Sequence, residues 1–130
     1  MKKKILIVED NSDSREITNL FITRMGYQTI QAKNSYEAIT FAESAGPDLI
    51  FMDMKLPDVD GIKTTAMLKR NPKTSHIPII AITAWVSALL EQKASKVGIA
   101  KYLIKPISPQ TLKETIEEYT RRLSTRQVQL

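Results

Sequence analysis

The chain has no cysteine, one histidine and one tryptophan among 130 residues. Without thiols there is no disulfide framework and no thiolate metal site, which is the usage of a cytoplasmic protein. The lone histidine, His76, precedes Ile77-Pro78 and reads as a loop residue; with no imidazole partner it makes no zinc site. No apolar run approaches the length of a membrane span. The basic start Met1-Lys2-Lys3-Lys4 is followed only by Ile5 to Val8 before Glu9-Asp10, too short a stretch for a signal peptide. Internal repeats, low-complexity segments and a linker to a second domain are also missing, and the expected organisation is one domain over residues 1–123 with a C-terminal tail at 124–130. The formal net charge of +5 is uneven. Lys2, Lys3, Lys4, Arg121, Arg122 and Arg126 lie at the ends, and the remaining 13 basic residues face 14 acidic ones. The body is therefore no basic nucleic-acid surface, and the ends read as solubility tails with no aromatic stacking stripe beside them.

What is present is an alternation. Ile5-Leu6-Ile7-Val8 predicts a buried strand. A helix follows, capped by Asn11 or Ser12, with Ile17, Leu20, Phe21 and Met25 on its inner face and Gly26 as its stop. Tyr27 to Gln31 predicts a more exposed strand, and Ser35 to Ala45 a helix with Ala38, Ile39, Ala42 and Ala45 inward. Leu49-Ile50-Phe51-Met52 runs straight into Asp53 as a third strand, and Gly61 to Arg70 predicts a helix closed by Asn71-Pro72. Pro78 to Thr83 is a fourth strand. Val86, Leu89, Leu90, Ala94 and Val97 mark a fourth helix, and Lys101 to Ile104 a fifth strand. The last helix has Ser108 as cap, Pro109 at its first position and Leu112, Ile116, Tyr119 and Leu123 as its buried face. Five strands alternating with five helices imply a parallel sheet covered on both faces, a (βα)5 fold.

The strand ends change character together. The first ends in Glu9 and Asp10, the third in Asp53, the fourth in Thr83 and the fifth in Lys105-Pro106. In a parallel sheet these ends share one edge, and with strand order 2-1-3-4-5 the reversal juxtaposes Asp10 and Asp53. An unpaired buried carboxylate is costly, so Asp53 is expected to face solvent, a cation or a partner. Three neighbouring carboxylates raise one another's pKa unless a cation intervenes, and an oxygen-only set suits Mg²⁺, with Mn²⁺ as a substitute. Carboxylate nucleophile, Mg²⁺, lysine and hydroxyl together fit phosphoryl transfer onto an aspartate. In that chemistry Asp53 attacks phosphorus, Asp10 and Asp53 hold the metal with Glu9 acting through water, and Lys105 balances a phosphoryl oxygen. Thr83 can then donate to the new aspartyl phosphate and report its presence by moving its loop. Asp58-Val59-Asp60-Gly61 superficially matches a calcium loop, but Leu56 and Met67 occupy its first and closing ligand positions.

Five pieces in this order resemble the receiver domain of two-component response regulators, over about residues 4–121. They are Ile5 to Asn11, Pro47 to Asp53, Leu56-Pro57 with Asp60-Gly61, Ile77 to Ala84, and Tyr102 to Pro106. The chain is similar to stand-alone receivers of the DivK and CheY type. The resemblance implies a flavodoxin-like three-layer sandwich, Asp53 as phosphoacceptor, and Glu9, Asp10, Asp53 and the backbone carbonyl of Lys55 as metal ligands. It also implies that Thr83, Ala84, Lys105 and Tyr102 contact phosphate or switch with it, and that Lys105-Pro106 is a cis bond. For Tyr102 the residues themselves leave plain half-buried packing open as well. The implied donor is a phosphohistidine on a sensor histidine kinase or phosphotransfer protein. The implied output is a protein partner at the face of the fourth helix, fifth strand and fifth helix. No DNA or membrane contact is expected, and monomer and phosphorylation-dependent dimer both remain open.

Lys55 and Trp85 lie two residues beyond Asp53 and Thr83, at positions that vary in the family, and are expected to shield the phosphoryl group and lengthen its lifetime. Leu89 or Leu90 is either a core residue or part of a partner surface. Two rival readings stand beside a signalling protein that acts only on its own phosphorylation. One is a degenerate receiver kept as a scaffold. The other is a phosphatase with an aspartate nucleophile, which would want a second carboxylate where Lys55 stands.

Overall fold

The apolar runs and amphipathic segments form alternating elements: β1 (Lys4–Val8), α1 (Ser12–Arg24), β2 (Gln28–Ala32), α2 (Ser35–Ala45), β3 (Leu49–Asp53), α3 (Gly61–Arg70), β4 (Ile79–Thr83), α4 (Ala88–Val97), β5 (Lys101–Ile104) and α5 (Pro109–Gln129). The computed structural model describes the backbone of residues 2–129 and the side chains of residues 2–121. The strands pair in parallel in the order β2-β1-β3-β4-β5, the flavodoxin-like arrangement. Among the described residues no helix is long and apolar enough to cross a membrane.

Every residue of β3 and β4 is buried, because helices cover both faces of the sheet. Successive strand residues point to opposite faces and feed separate cores. Leu6, Val8, Ile50, Met52 and Ala81 pack with Ala38 and Ala42 of α2 and Leu68 of α3. Ile5, Ile7, Leu49, Phe51 and Ile80 pack with Ile22 of α1 and Leu112 and Ile116 of α5. The helices start on side-chain caps: Asn11, Asn34, Asp60 and Ser87 each accept a backbone N–H of the first turn.

Three expectations change. α1 buries Ile22 and half-buries Phe21 and Met25, while Ile17 and Leu20 are exposed. On the side of the helix next to β2, the Thr29 hydroxyl donates to Asn19 Oδ1. Val86 lies outside α4, because Ser87 accepts the Leu90 N–H at 3.1 Å and caps the helix after it; of the two leucines there, Leu89 is the exposed one. α5 continues past the helix end expected near residue 123. The side chain of Leu123 and those of the expected tail 124–130 lie outside the described residues.

α3 also contains a defect. Thr65 is fully buried, and its hydroxyl is, among the described residues, the buried side-chain polar atom with no hydrogen-bond partner. Its neighbour Thr64 is satisfied by Ser35 Oγ and the Asp60 carbonyl, both at 2.8 Å. An unmet buried hydroxyl costs about 1–3 kcal/mol, and valine keeps its shape without it. Thr65→Val is expected to stabilise the protein by about 1 kcal/mol in urea denaturation, whereas Thr64→Val should destabilise it.

Candidate functional site

The sheet order reverses at β1 and β3, so their carboxyl ends flank the one crevice where chains leave in opposite directions. The register Val8↔Met52 brings the next residues, Glu9 and Asp53, side by side. Asp53 is the last residue of β3 and still pairs with Ile82 of β4. It is therefore not turned out to solvent: it is 6% exposed and Glu9 is 5% exposed, while Asp10 is exposed. Burial is tolerated because of Lys105, delivered by the end of β5. Its Nζ donates to Glu9 Oε1 at 2.5 Å and to Asp53 Oδ2 at 3.2 Å. The other Asp53 oxygen, Oδ1, accepts the Lys55 N–H at 2.9 Å.

Two carboxylates share one ammonium, and the titration behaviour reflects it. Burial pushes the Glu9 carboxyl above its ordinary value, and the adjoining Asp53 carboxylate pushes it the same way. The Lys105 ammonium pulls it back only in part. Burial lowers the Lys105 ammonium, but its bond to Glu9 and the charges of both carboxylates outweigh that and raise it. The site thus holds excess negative charge.

A cavity of about 270 Å³ opens above this pair, lined by Glu9, Asp10, Asn11, Asp53, Lys55, Thr83, Ala84, Trp85 and Lys105. Eight of the residues singled out in the sequence are therefore gathered there. Pro106 is outside it, though Lys105-Pro106 is cis. Tyr102 is outside it too: it packs against the α4 side of the core, and its hydroxyl donates to the Glu91 carbonyl at 2.9 Å. The Thr83 hydroxyl donates to the Trp85 carbonyl at 2.9 Å, turned into its own loop.

Oxygen atoms of Glu9, Asp10 and Asp53 can all lie within 4.8 Å of one another. Hard oxygen donors, no imidazole and a surplus of negative charge fit a divalent cation such as Mg²⁺. Two residues not singled out in the sequence shape this set. Ser14 Oγ donates to Glu9 Oε1 at 3.0 Å, and Arg15 Nη1 donates to the Glu9 carbonyl at 2.7 Å. Their only sequence signal is position: the first turn of a helix that starts just beyond a strand exit faces back over it.

Comparison with known proteins bears on this geometry. Residues 5–117 match the family model described as the response regulator receiver domain. A polar-differentiation response regulator DivK from Brucella anthropi is 40% identical over 119 residues, covering 92% of this chain and 97% of that protein. The chemotaxis protein CheY4 of Vibrio cholerae superposes with a TM-score of 0.88 at 26% identity, covering 92% of this chain and 99% of that one. The receiver domain of the sensor histidine kinase PA1611 from Pseudomonas aeruginosa, solved with a magnesium ion coordinated in its active-site cleft, gives a TM-score of 0.85 at 27% identity, covering 92% and 98%.

Proposed function

The chain belongs to the response regulator receiver domain family, and from that premise we propose that it is a signalling protein phosphorylated on Asp53 by a phosphohistidine donor. The observation that carries this reading is the meeting of Glu9, Asp10, Asp53 and Lys105 at the switch point of the sheet. Asp10, Asp53 and the Lys55 carbonyl would hold Mg²⁺, with Glu9 beside them. When bound, the ion neutralises phosphoryl oxygens as charge moves onto the leaving group. An Asp53 carboxylate oxygen forms the new O–P bond, the N–P bond of the donor breaks, and the imidazole leaves with its electron pair. Lys105 remains beside Asp53 to balance a phosphoryl oxygen.

Thr83 then exchanges the Trp85 carbonyl for the phosphoryl group, and the loop that carries Ala84 follows it. Tyr102, tied to the α4 backbone through Glu91, transmits the change to the α4-β5-α5 face, where a protein partner reads it. The exposed Leu89 and Ile104 supply apolar surface on that face. Incubation with acetyl phosphate and Mg²⁺ tests the reading. One acid-labile phosphoryl group is expected on the wild type and none on Asp53→Asn. An unmodified wild type would instead identify a scaffold, and sustained turnover of varied phosphate esters an enzyme.

Lys55 and Trp85 both line the cavity mouth and are exposed. They limit the approach of the water that hydrolyses the phosphoryl group. In Lys55→Asn/Trp85→Ala the Asp53 phosphate should decay about tenfold faster, a barrier change of about 1.4 kcal/mol. Decay of labelled protein after removal of donor measures it, and an unchanged half-life removes the shielding role.

A further inference from the structure

The loop between β3 and α3 carries Lys55, and its tip is fastened to a different helix. Both oxygens of Asp58 accept N–H groups from the first turn of α2: Oδ1 from Ser35 at 2.9 Å and Oδ2 from Tyr36 at 3.0 Å. α2 does not need Asp58 as its own cap, because Asn34 Oδ1 already accepts the Glu37 N–H at 2.8 Å. A bond of 2.8 Å between the Thr64 and Ser35 hydroxyls reinforces the fastening, with Thr64 donating its one proton to the Asp60 carbonyl and accepting from Ser35. At its base the loop is closed by the Gly61 N–H donating to the Met54 carbonyl at 3.0 Å. Lys55 thus stands between two anchors, with Pro57 stiffening the chain between it and Asp58. Charge agrees with this geometry. Desolvation pushes the Asp58 carboxyl up, but the N–H groups of Ser35, Tyr36 and Val59 together outweigh it and hold the carboxyl below its ordinary value, so the fastening is made by the carboxylate.

We propose that Asp58 is a positioning residue for the Mg²⁺ site, holding the Lys55 backbone at the metal by pinning its loop to the first turn of α2. The role rests on the Lys55 carbonyl being a metal ligand, as in the reading above. A ligand on a loop free to wander must be ordered when the ion binds, and that entropic cost weakens affinity.

Mg²⁺ titration of the full chain tests this, followed by the fluorescence of Trp85, the single tryptophan and a wall of the cavity. Asp58→Ala is expected to weaken Mg²⁺ binding at least about fivefold, and Asp58→Asn, which keeps one acceptor, to fall between it and wild type. With acetyl phosphate as donor, Asp58→Ala should need correspondingly more Mg²⁺ for half-maximal labelling yet approach the wild-type rate at saturating Mg²⁺. Asn71→Ala breaks the contact to Glu43 at the other end of α2, away from the first turn and the loop, and should leave Mg²⁺ affinity unchanged. Wild-type affinity in Asp58→Ala, or an equal loss in Asn71→Ala, overturns the proposal. A wild type whose fluorescence and thermal midpoint both ignore Mg²⁺ overturns the metal-site reading itself, and the role of Asp58 with it.

Discussion

Gly61→Ala is expected to damage stability and phosphorylation together. A Cβ at Gly61 would stand 2.5 Å from the Asp53 carbonyl oxygen and 2.7 Å from Met54 Cα, both backbone atoms, so no side chain can swing away to relieve the clash. The Gly61 backbone is not left-handed, so an alanine is conformationally allowed and the cost is purely steric. Relief requires either that the start of α3 lift away, breaking the Gly61 N–H bond to the Met54 carbonyl, or that the end of β3 shift. Overpacking of this kind costs about 1–3 kcal/mol, a fall in thermal midpoint of about 5–10 °C for a domain of this size. The atom struck belongs to Asp53, the residue proposed as phosphoacceptor. A displacement of about 1 Å at a reacting group lowers rates by about 100-fold. Thermal denaturation and acetyl phosphate labelling of the same preparation measure both effects. Normal labelling in a destabilised variant would mean that α3, not β3, gives way.

Lys105→Met should show that one lysine serves both the fold and the chemistry. In the metal-free protein it removes the ammonium shared by two buried carboxylates, and a broken buried pair typically costs about 3–5 kcal/mol. The Lys105 head group is about one-third exposed, which places the expected loss nearer 2 kcal/mol. The loss depends on pH in a defined sense. Glu9 is already raised above its ordinary value, and Lys105 is what lowers it in part. An acid raised in the folded state destabilises the fold only when ionised. The deficit is therefore absent below the unfolded pKa, grows as pH rises toward the folded pKa, and is full above it. Mg²⁺ compensates for the missing ammonium, so the variant should gain more thermal stability from MgCl₂ than wild type does. Phosphorylation should still fall about 100-fold, as when one preorganised donor is lost from a charge-developing site. Denaturation at pH 5 and pH 8, with and without MgCl₂, checks the first three points. A deficit that deepens at pH 5 contradicts the sign.

Lys55 and Thr83 show how site and fold interlock at the level of single hydrogen bonds. The Lys55 N–H holds one Asp53 oxygen while Lys105 holds the other, leaving this carboxylate fixed in orientation. Thr83, by contrast, is occupied with its own loop, so its availability to a phosphoryl group is conditional. A site with one rigid group and one conditional group suits a protein that must both accept a phosphoryl group and change shape because of it.

Local patterns carried most of the architecture. Buried parallel strands require uninterrupted apolar runs, helices require a 3.6-residue period, and both can be read within a few residues of chain. The change from apolar to polar or charged residues at four strand ends was equally legible, and with it Glu9, Asp10, Asp53, Thr83 and Lys105. Distances across the fold were not, because they depend on which strands become neighbours and in what register. The Lys105 contacts to Glu9 and Asp53 join residues 96 and 52 positions apart. The exposure of Ile17 and Leu20 and the Asn19–Thr29 contact between α1 and β2 are ones that no periodicity contains. The burial of Asp53 required knowing that a lysine would arrive from β5, since the carboxylate alone argues for exposure. The fork of Asp58 on α2 and the close approach at Gly61 are likewise products of packing. The sequence by itself determined which chemistry the strand ends could bring together. Only the tertiary structure decided that Asp53 would be buried and paired at the end of β3, beside a loop tied to α2, because charge compensation and steric contact act between residues far apart in the chain.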